Sequence, residues 1–206
     1  MVKLVEHSVT DLLAAFRSSS PTPGGGSAAA LSGAVGASLL AMVAGLPKSR
    51  ASNDEDASNL SSAGARCTAL ANELAALIDR DTEAYDLVVG AYRRPKETDE
   101  EKAARSAAIQ AAMRAAIDAP LSVMRACDGA LEQAGTIARL GNPSASSDVQ
   151  VGVELLGAGL RGAKLNVDIN MGSVKDAAYV QHVRSETERL VRQADRHTDA
   201  SREAVR

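Results

Sequence analysis

The stretch of sequence that decides the fold lies near the start of the chain, where residues 21–46 read PTPGGGSAAALSGAVGASLLAMVAGL. Its first six residues hold two prolines and three glycines, which cannot continue a helix, so a shaped loop is expected there. From Ser27 to Pro47 the apolar residues recur every three or four positions, which predicts one helix. The face that they share comprises Leu31, Val35, Leu39, Met42 and Leu46.

This helix must be considered as a membrane span, because no charged residue occurs between Arg17 and Lys48. Its portion Ala28–Leu46 is long enough to cross a bilayer. However, Gly, Ala and Ser dominate the segment, bulky apolar residues are few and no aromatic anchors flank it. We therefore expect a buried helix of a soluble bundle and no membrane partner.

The remainder of the chain has helical periodicity with almost no alternating strand pattern, which predicts an all-α fold. We expect a single-domain helical bundle over residues 1–206, with long and partly kinked helices. Thr98–Glu101 is a capping box that starts one helix, Pro120 should kink or break that helix, and Asn166–Asn170 should form an irregular joint. The helices are expected at about 10–16, 27–46, 58–92, 98 to a turn at 141–143, 148–165, and 174 to near the C-terminus.

Composition places the chain among ordinary globular proteins and excludes several function classes. Of its 206 residues, 45% are hydrophobic, 24% charged and 2% aromatic, so the core must be built from Ala, Leu, Val and Ile. The net charge of −3 argues against a nucleic-acid partner, which would need a clustered basic face. Cys67 and Cys127 are far apart and no secretory signal opens the chain, so we expect reduced thiols and a cytoplasmic protein.

Motifs for metal binding and nucleophilic catalysis are missing from the sequence. The histidines, His7, His182 and His197, have no partner at metal-ligand spacing, so no metal site is expected. Glycines 24–26 are followed by Ser27 rather than by a Walker A lysine. Such a loop can still bind an anion or a polar ligand edge through free backbone N–H groups, or it can simply allow two helix backbones to cross closely.

Two further groups of residues suggest a binding site. Asp81, Tyr85 and Tyr92 are spaced by four and seven residues and share one helix face, where they could stack a flat heterocycle and handle its protons. The alternative is a solvated acidic turn. The loop from Gly141 to Asp148 is polar and leads into a helix, so Asp148 is either a ligand-binding residue or the N-cap of that helix.

Residues 21–37, PTPGGGSAAALSGAVGA, closely resemble the opening motif of the cyclodeaminase/cyclohydrolase family. That family includes methenyltetrahydrofolate cyclohydrolases and the C-terminal cyclodeaminase domain of formiminotransferase-cyclodeaminase. Residues 81–85, DTEAY, and 91–96, AYRRPK, are similar to its central block in the form found in the free-standing cyclohydrolases. The resemblance covers almost the whole chain and implies an all-helical homodimer, with a folate site in a cleft at or near the subunit interface.

The resemblance also implies roles for single residues. Asp81 is expected to be the catalytic carboxylate, acting as general base and then as general acid, with Asp148 as a second candidate. Glycines 24–26 would line the site and hold the pterin edge or order the water, and Lys48, Arg50 or Lys96 would meet the glutamate tail of folate. The full set of expected substrate-binding residues is Pro23, Gly24, Gly25, Gly26, Ser27, Tyr85, Lys96, Asn142 and Lys48.

The implied reaction is hydrolysis of 5,10-methenyltetrahydrofolate to 10-formyltetrahydrofolate, or its reverse. The methenyl carbon belongs to a cationic amidinium and is already electrophilic, so no metal and no cofactor besides the tetrahydrofolate substrate is expected. Two alternatives remain open. One is cyclodeamination of formiminotetrahydrofolate with release of ammonia; the other is a non-catalytic folate-binding or interaction bundle, because the residues after Asp148, VQVG, depart from the family pattern.

Overall fold

The computed structural model describes residues 3–205, and these residues form helices and no strands. The all-α fold predicted from the sequence is therefore confirmed. Two short 3-10 helices, Leu4–Glu6 and Pro143–Ala145, accompany six α-helices in this range. In chain order these are α1 (Val9–Phe16), α2 (Gly25–Gly45), α3 (Asp54–Tyr92), α4 (Asp99–Leu140), α5 (Ser146–Met171) and α6 (Ala177–Val205).

Helix α2 is the centre of the bundle and packs against α3, α4 and α5. It runs antiparallel to α3 and α5, because its start lies beside Asp81 and Asn166, whereas later turns lie beside Gly64 and Gly152, which come earlier in those two helices. Glycines keep the crossings close. A Cβ on Gly36 would lie 2.6 Å from the backbone oxygen of Gly152, which is shorter than a real Cβ contact. The small residues of α2 therefore let helix backbones touch.

Among the described residues, one helix, α2, is long and apolar enough to cross a membrane. Ten of its 21 residues are buried against the neighbouring helices, and 39% of its most apolar stretch is buried. The expectation of a buried helix therefore holds for one side of α2. One apolar stripe of α2 remains exposed, and it includes Val35 and Met42.

Pro120 lies inside α4 and does not end it. A side chain of another helix donates a hydrogen bond to the carbonyl oxygen that proline leaves unpaired. Proline has no N–H, so the oxygen of Ala116, four residues earlier, loses its helical partner. The Nδ2 of Asn170 in α5 donates to that oxygen over 3.0 Å. Of the two outcomes expected at Pro120, a kink or a break, the break is therefore wrong. The irregular joint expected at Asn166–Asn170 is wrong as well, since α5 stays helical through Met171.

Local side-chain caps start α1, α3 and α4, whereas α2 and α5 begin without one. Helix α3 begins at Asp54, earlier than predicted, because the Asn53 side chain accepts a hydrogen bond from the N–H of Asp56 over 2.9 Å. The capping box predicted at Thr98–Glu101 is confirmed. At α2 the N-cap is Gly24, which has no side chain to offer. The acceptor for the first turn of α2 must therefore come from another element.

Candidate active site

The acceptor for the first turn of α2 is the carboxylate of Asp81 in α3. Its Oδ2 accepts a hydrogen bond from the N–H of Ser27 over 3.0 Å and lies 3.3 Å from the Ser27 Oγ. A carboxylate in this position satisfies an N–H group that the helix cannot pair internally, and it meets the positive end of the helix dipole. The glycine loop and α3 thus form one site.

Gly26 lets the Asp81 carboxylate lie against the backbone of α2. A Cβ built on Gly26 would lie 2.0 Å from Asp81 Oδ1 and 2.4 Å from its Cγ. No Cβ fits in that space, so the contact between Asp81 and the α2 backbone requires glycine at position 26. Ser27 is fully buried, and its Oγ also lies 2.8 Å from the carbonyl oxygen of Ile78. Its hydroxyl proton can go to either acceptor, whereas its N–H donates to Asp81.

One carboxylate oxygen of Asp81 is available for proton transfer. Oδ2 is held by Ser27, and within residues 3–205 no hydrogen-bond donor contacts Oδ1. Burial raises the pKa of Asp81 above its ordinary value of 3.8, and the hydrogen bonds from the Ser27 N–H and hydroxyl oppose that rise. A carboxylate with a raised pKa and a free oxygen is suited to accept a proton from water and to return it.

The raised pKa of Asp81 predicts a pH dependence for activity and for stability. If Asp81 acts as a base, turnover should fall as the pH drops through its pKa, with a midpoint above 3.8. Stability changes in the opposite direction, because the folded state favours protonated Asp81. This contribution to the free energy of unfolding is full below the unfolded pKa and is lost as the pH rises through the folded pKa. A pH series of kcat/KM and of urea unfolding measures both, and an acid limb at or below the ordinary value would contradict the assignment.

Asn166 of α5 lies on the other side of the first turn of α2. Its Nδ2 and Oδ1 are 3.5 Å and 3.7 Å from the position that a Cβ on Gly25 would take. The Nδ2 donates to the Gly162 oxygen over 3.0 Å, which leaves the amide oxygen as an acceptor. Sequence reasoning missed this residue because an irregular joint was expected here. The four-residue spacing of Asn166 and Asn170 is the signal that would have put both on one helix face.

Comparison with known proteins now decides the family. Residues 8–189 match the sequence model of a family described as formiminotransferase-cyclodeaminase. The chain belongs to this family. The matched range contains the glycine loop, Asp81 and Asn166, so the whole site just described falls within it.

Two relatives show how much of each protein the sequence similarity covers. The chain is 41% identical over 188 residues to the methenyltetrahydrofolate cyclohydrolase of Methylorubrum extorquens, covering 91% of this chain and 90% of that protein. It is 33% identical over 175 residues to the formimidoyltransferase-cyclodeaminase of Rattus norvegicus, covering 85% of this chain but 32% of the rat protein. The chain thus matches one relative along its length and about a third of the other.

A solved structure shares the fold of this family member. The crystal structure of formiminotetrahydrofolate cyclodeaminase from Thermotoga maritima superposes with a TM-score of 0.86 and covers 98% of both chains, at 22% sequence identity. At this identity the likeness concerns the fold alone. It confirms that the six-helix arrangement is the arrangement of a known cyclodeaminase structure.

Most of the residues expected around the pterin meet at the start of α2. Pro23 and Gly24 are half-buried and lead directly into the turn that Asp81 caps. Tyr85 lies one turn beyond Asp81 on the same face of α3 and is 40% exposed. Its ring is therefore accessible to a ligand that reaches the free oxygen of Asp81.

Asn142, Lys48 and Asp148 lie at the other end of α2. The Nδ2 of Asn142 donates to the Pro47 oxygen over 2.7 Å, which ties the loop before α5 to the loop after α2. Asp148 lies in the first turn of α5 rather than at its N-cap. Helix α2 has 21 residues, and at about 1.5 Å per residue its two ends are roughly 30 Å apart. Within one protomer these three residues therefore do not share a site with Asp81.

Lys96 lies in the loop between α3 and α4, beyond the end of α3 that follows Asp81. It lines a cavity of about 570 Å³ together with Tyr92, which is three turns beyond Asp81 on the same face. A cavity of about 740 Å³ also lies between α3 and α4, but Leu87 and Gly90 place it on the opposite face of α3. The first cavity therefore continues the face that carries Asp81, and the second does not.

The groups that this site offers to a ligand are backbone N–H groups, carboxylate and amide oxygens, and an aromatic ring. They come from Gly25, Gly26, Asp81, Asn166 and Tyr85. Across residues 3–205, no group of three or more His, Cys, Asp or Glu side chains is placed to hold a metal ion. The arrangement can hold a planar heterocycle by its polar edge and present one carboxylate oxygen to it.

Proposed function

We propose that this protein hydrolyses 5,10-methenyltetrahydrofolate to 10-formyltetrahydrofolate and catalyses the reverse reaction. The observation that carries the proposal is the Asp81 carboxylate, which Ser27 holds by Oδ2 and which keeps Oδ1 free beside the glycine loop. The methenyltetrahydrofolate cyclohydrolase of Methylorubrum extorquens supports it, since the likeness covers 91% of this chain and 90% of that protein.

Asp81 would act first through its charge and then as a base. The ionised carboxylate stabilises the amidinium cation of the substrate. Oδ1 accepts a proton from a water molecule while the water oxygen bonds to the methenyl carbon. The bond between that carbon and N5 then breaks and N5 takes the proton from Asp81. The hydroxyl proton of the intermediate passes to solvent as the C=O bond forms, and the formyl group stays on N10. The N–H of Ser27 keeps Oδ2 in place throughout, so that Oδ1 can face the reacting carbon.

The first turn of α2 and its neighbours would orient the folate. Helix N–H groups at Gly25 and Gly26 have no partner within the helix and can donate to the pterin edge. The Asn166 amide is placed beside Gly25 and adds an acceptor. Tyr85 offers an exposed ring against which a flat ring system can stack.

The proposed reaction uses no metal and no cofactor besides tetrahydrofolate, because the amidinium carbon is electrophilic without further activation. We also propose that the protein works in the cytoplasm. Cys67 and Cys127 are both buried and free, as expected of a protein from a reducing compartment. Burial raises the pKa of each thiol to about 12, so neither is an activated nucleophile at neutral pH.

The direct test mixes the purified protein with methenyltetrahydrofolate and follows the loss of the substrate's ultraviolet absorbance. Because the substrate also hydrolyses slowly in water, the uncatalysed rate is measured in the same buffer. We expect a clear acceleration that is proportional to protein concentration. Folate binding without any acceleration would overturn the hydrolase proposal and leave the cyclodeaminase and the non-catalytic bundle.

A second candidate is the cyclodeamination of formiminotetrahydrofolate. It is favoured by the fold, which matches a structure of that cyclodeaminase, and by the description of the family. In this reaction N10 attacks the same carbon and ammonia leaves, so Asp81 could serve both reactions. Release of ammonia from formiminotetrahydrofolate, without acceleration of methenyltetrahydrofolate hydrolysis, would select this candidate.

We further propose that the protein is a homodimer formed through one exposed apolar face, here named the α2–α5 face. The two helices are neighbours along it, since the Ser32 Oγ donates to the Leu155 oxygen over 2.8 Å. Leu165 and Ile169 are 71% and 77% exposed, which is unusual for large aliphatic side chains. The face comprises Ala28, Leu31, Val35, Leu39 and Met42 of α2 with Val151, Leu155, Ala158, Leu165 and Ile169 of α5.

A twofold axis that lies in the α2–α5 face and runs perpendicular to α2 makes the two copies of α2 antiparallel. The end of α2 in one protomer then lies beside the start of α2 in its partner. Asp148 lies in line with the exposed stripe of α5, three residues before Val151. The dimer would thereby place Asn142, Lys48 and Asp148 of one protomer near Asp81 of its partner. Residues that one protomer holds about 30 Å apart would then belong to one site.

Substitution of Val35 tests the dimer. Val35 is 45% exposed near the middle of α2, so Val35→Glu should place like charges close to the twofold axis and raise the dimer Kd by at least about a hundredfold. Sedimentation equilibrium measures the mass. The control is Leu87→Glu, at a 58% exposed position outside this face. A wild-type protein that is monomeric at micromolar concentration would refute the dimer.

A further inference from the structure

The hydroxyl group of Ser27 lies between two acceptors on neighbouring turns of α3. Its Oγ is 2.8 Å from the carbonyl oxygen of Ile78 and 3.3 Å from Oδ2 of Asp81. Ser27 is fully buried, so its hydroxyl proton has to find its acceptor inside the protein. A hydroxyl carries one proton and can donate it fully to only one of these oxygens at a time. The proton therefore points either to the backbone of α3 or to the carboxylate.

The distances favour the Ile78 oxygen as the acceptor in this structure. Hydroxyl hydrogen bonds are about 2.5–3.0 Å long, which fits the contact with Ile78 and not the longer contact with Asp81. A carbonyl oxygen has two lone pairs, so the Ile78 oxygen can accept from Ser27 and from an N–H of its own helix together. The Ser27 hydroxyl thus has a good partner even when it makes no hydrogen bond to Asp81.

Ionisation of Asp81 changes which of the two acceptors is stronger. Hydrogen bonds to a carboxylate are roughly twice as strong as bonds between neutral groups. Burial strengthens this attraction further, because water does not screen it. A protonated Asp81 lacks the charge, and its oxygen is then a weaker acceptor than a backbone carbonyl. The preferred partner of the Ser27 hydroxyl should therefore depend on whether Asp81 carries a proton.

Ser27 is also the group that meets the Asp81 carboxylate most directly. Residues 18–47, which include all of α2, contain no charged side chain, and Asn166 of α5 is neutral. Asp79 of α3 accepts a hydrogen bond from a backbone N–H of the first 3-10 helix. Burial raises the pKa of Asp81 and the two Ser27 hydrogen bonds lower it, with no charged side chain of the described residues among the causes. The response of the surroundings to the charge of Asp81 thus falls to Ser27.

We propose that Ser27 is a positioning residue whose hydroxyl changes its acceptor with the protonation state of Asp81. The hydroxyl donates to Oδ2 while Asp81 is ionised, and to the Ile78 oxygen once Oδ1 has taken a proton from water. The O–H bond of Ser27 stays intact, and only its hydrogen bond moves. This exchange favours the ionised carboxylate before proton transfer and leaves no buried hydroxyl unpaired afterwards. Its role in turnover rests on the proposed reaction, whereas the exchange itself does not.

Carbon-13 NMR of the free protein tests the exchange without turnover. The carboxyl signal of Asp81, assigned by its loss in Asp81→Asn, gives the pKa of this group in a pH titration. The backbone carbonyl signal of Ile78 reports its hydrogen bonding in the same samples. We expect the Ile78 signal of the wild type to move with the midpoint of Asp81 and to stay nearly constant in Ser27→Ala. An Ile78 signal that does not follow Asp81 in the wild type, or that moves equally in Ser27→Ala, would overturn the proposal.

The Ser27→Ala variant keeps the backbone N–H and removes only the hydroxyl. Because ionised Asp81 loses one hydrogen bond, we expect its pKa to rise by about one unit and the acid limb of kcat/KM to move with it. Below both midpoints kcat/KM should fall about tenfold, and well above them it should change much less. The matched control is Ser38→Ala, since the Ser38 Oγ donates to the Ala34 oxygen within α2 over 2.7 Å. This control should leave the pKa of Asp81 unchanged.

These outcomes separate the exchange from the proposed reaction. A pKa of Asp81 that does not rise in Ser27→Ala would overturn the exchange, even if the protein hydrolyses methenyltetrahydrofolate. A raised pKa together with a coupled Ile78 signal establishes the exchange even if no hydrolysis is found, and the proposed reaction alone then fails. A purely structural Ser27 would lower Tm, and kcat at every pH alike, without moving the midpoint. Ser27→Cys, whose thiol is a weak donor, should give a smaller rise in the same direction and provides a second variant.

Discussion

Replacing Asp81 with asparagine should lower kcat for methenyltetrahydrofolate hydrolysis by about a thousandfold while the protein stays folded. General acid–base groups contribute roughly 10²–10⁴-fold to rates. The amide of the Asp81→Asn variant keeps the shape of the carboxylate and can still accept the N–H of Ser27 through its oxygen, but it cannot take a proton from water. Because burial raises the pKa of Asp81, loss of the charge should not lower the free energy of unfolding at neutral pH.

The matched control for this variant is Asp86→Asn. Asp86 lies on the same helix but lines the cavity on the opposite face of α3, so its loss should leave kcat within about twofold. Steady-state kinetics and urea unfolding are measured on both variants. Near-normal turnover by Asp81→Asn would remove Asp81 from the mechanism. A large loss of stability would instead identify Asp81 as a structural cap of α2.

Replacing Gly26 with alanine should remove activity and also destabilise the fold. The added Cβ would lie 2.0 Å from Asp81 Oδ1, so either the carboxylate or the first turn of α2 must move. Overpacking of this kind costs about 1–3 kcal/mol, and in a chain of this length each kcal/mol lowers Tm by about 2–4 °C. Displacement of Asp81 from Ser27 should lower kcat by at least about a hundredfold.

Gly135→Ala is the matched control for Gly26→Ala. Gly135 lies inside α4, and no atom lies within 4 Å of the position that its Cβ would take. The same substitution there should stabilise the protein by about 0.5–1 kcal/mol, because alanine restricts the unfolded chain and favours helix. Calorimetry and kinetics on the two variants compare the effect of the added methyl group. A Gly26→Ala protein with wild-type Tm and kcat would show that the contact with Asp81 is dispensable.

The start of α2 shows how far local sequence rules reach. Two prolines and three glycines required a loop before Ser27, and the spacing of apolar residues required a helix after it. Both were found, although α2 begins two residues earlier, at Gly25. The shared face of Asp81 and Tyr85 also followed from helical periodicity. That Asp81 caps α2 did not follow, because the hydrogen bond to Ser27 joins residues that are 54 positions apart.

Contacts between distant residues also explain where prediction failed. Pro120 should kink or break a helix by local rules, and the helix does not break. Asn170 supplies the donor that the proline lacks, and no spacing rule connects these two residues. The end of α5 stays helical through Met171, and Asn166 lies beside Gly25 of the glycine loop. Asp148 was grouped with Asp81 by resemblance. The antiparallel packing of α2 and α5 puts it at the far end of the protomer, which the sequence alone does not show.

Because aromatic residues are scarce, the intrinsic fluorescence of this protein comes from few positions and can report ligand binding. The chain has three tyrosines and no tryptophan, so its intrinsic emission comes from tyrosine alone. Tyr179 donates its hydroxyl to Asp118 over 2.8 Å, and hydrogen bonding to a carboxylate quenches tyrosine emission. Tyr85 and Tyr92 are 40% and 50% exposed on the face that carries Asp81. We therefore expect the emission of the unlabelled protein to come mainly from Tyr85 and Tyr92, on the face of α3 that carries Asp81. Its quenching can then report ligand binding at that face without an attached dye.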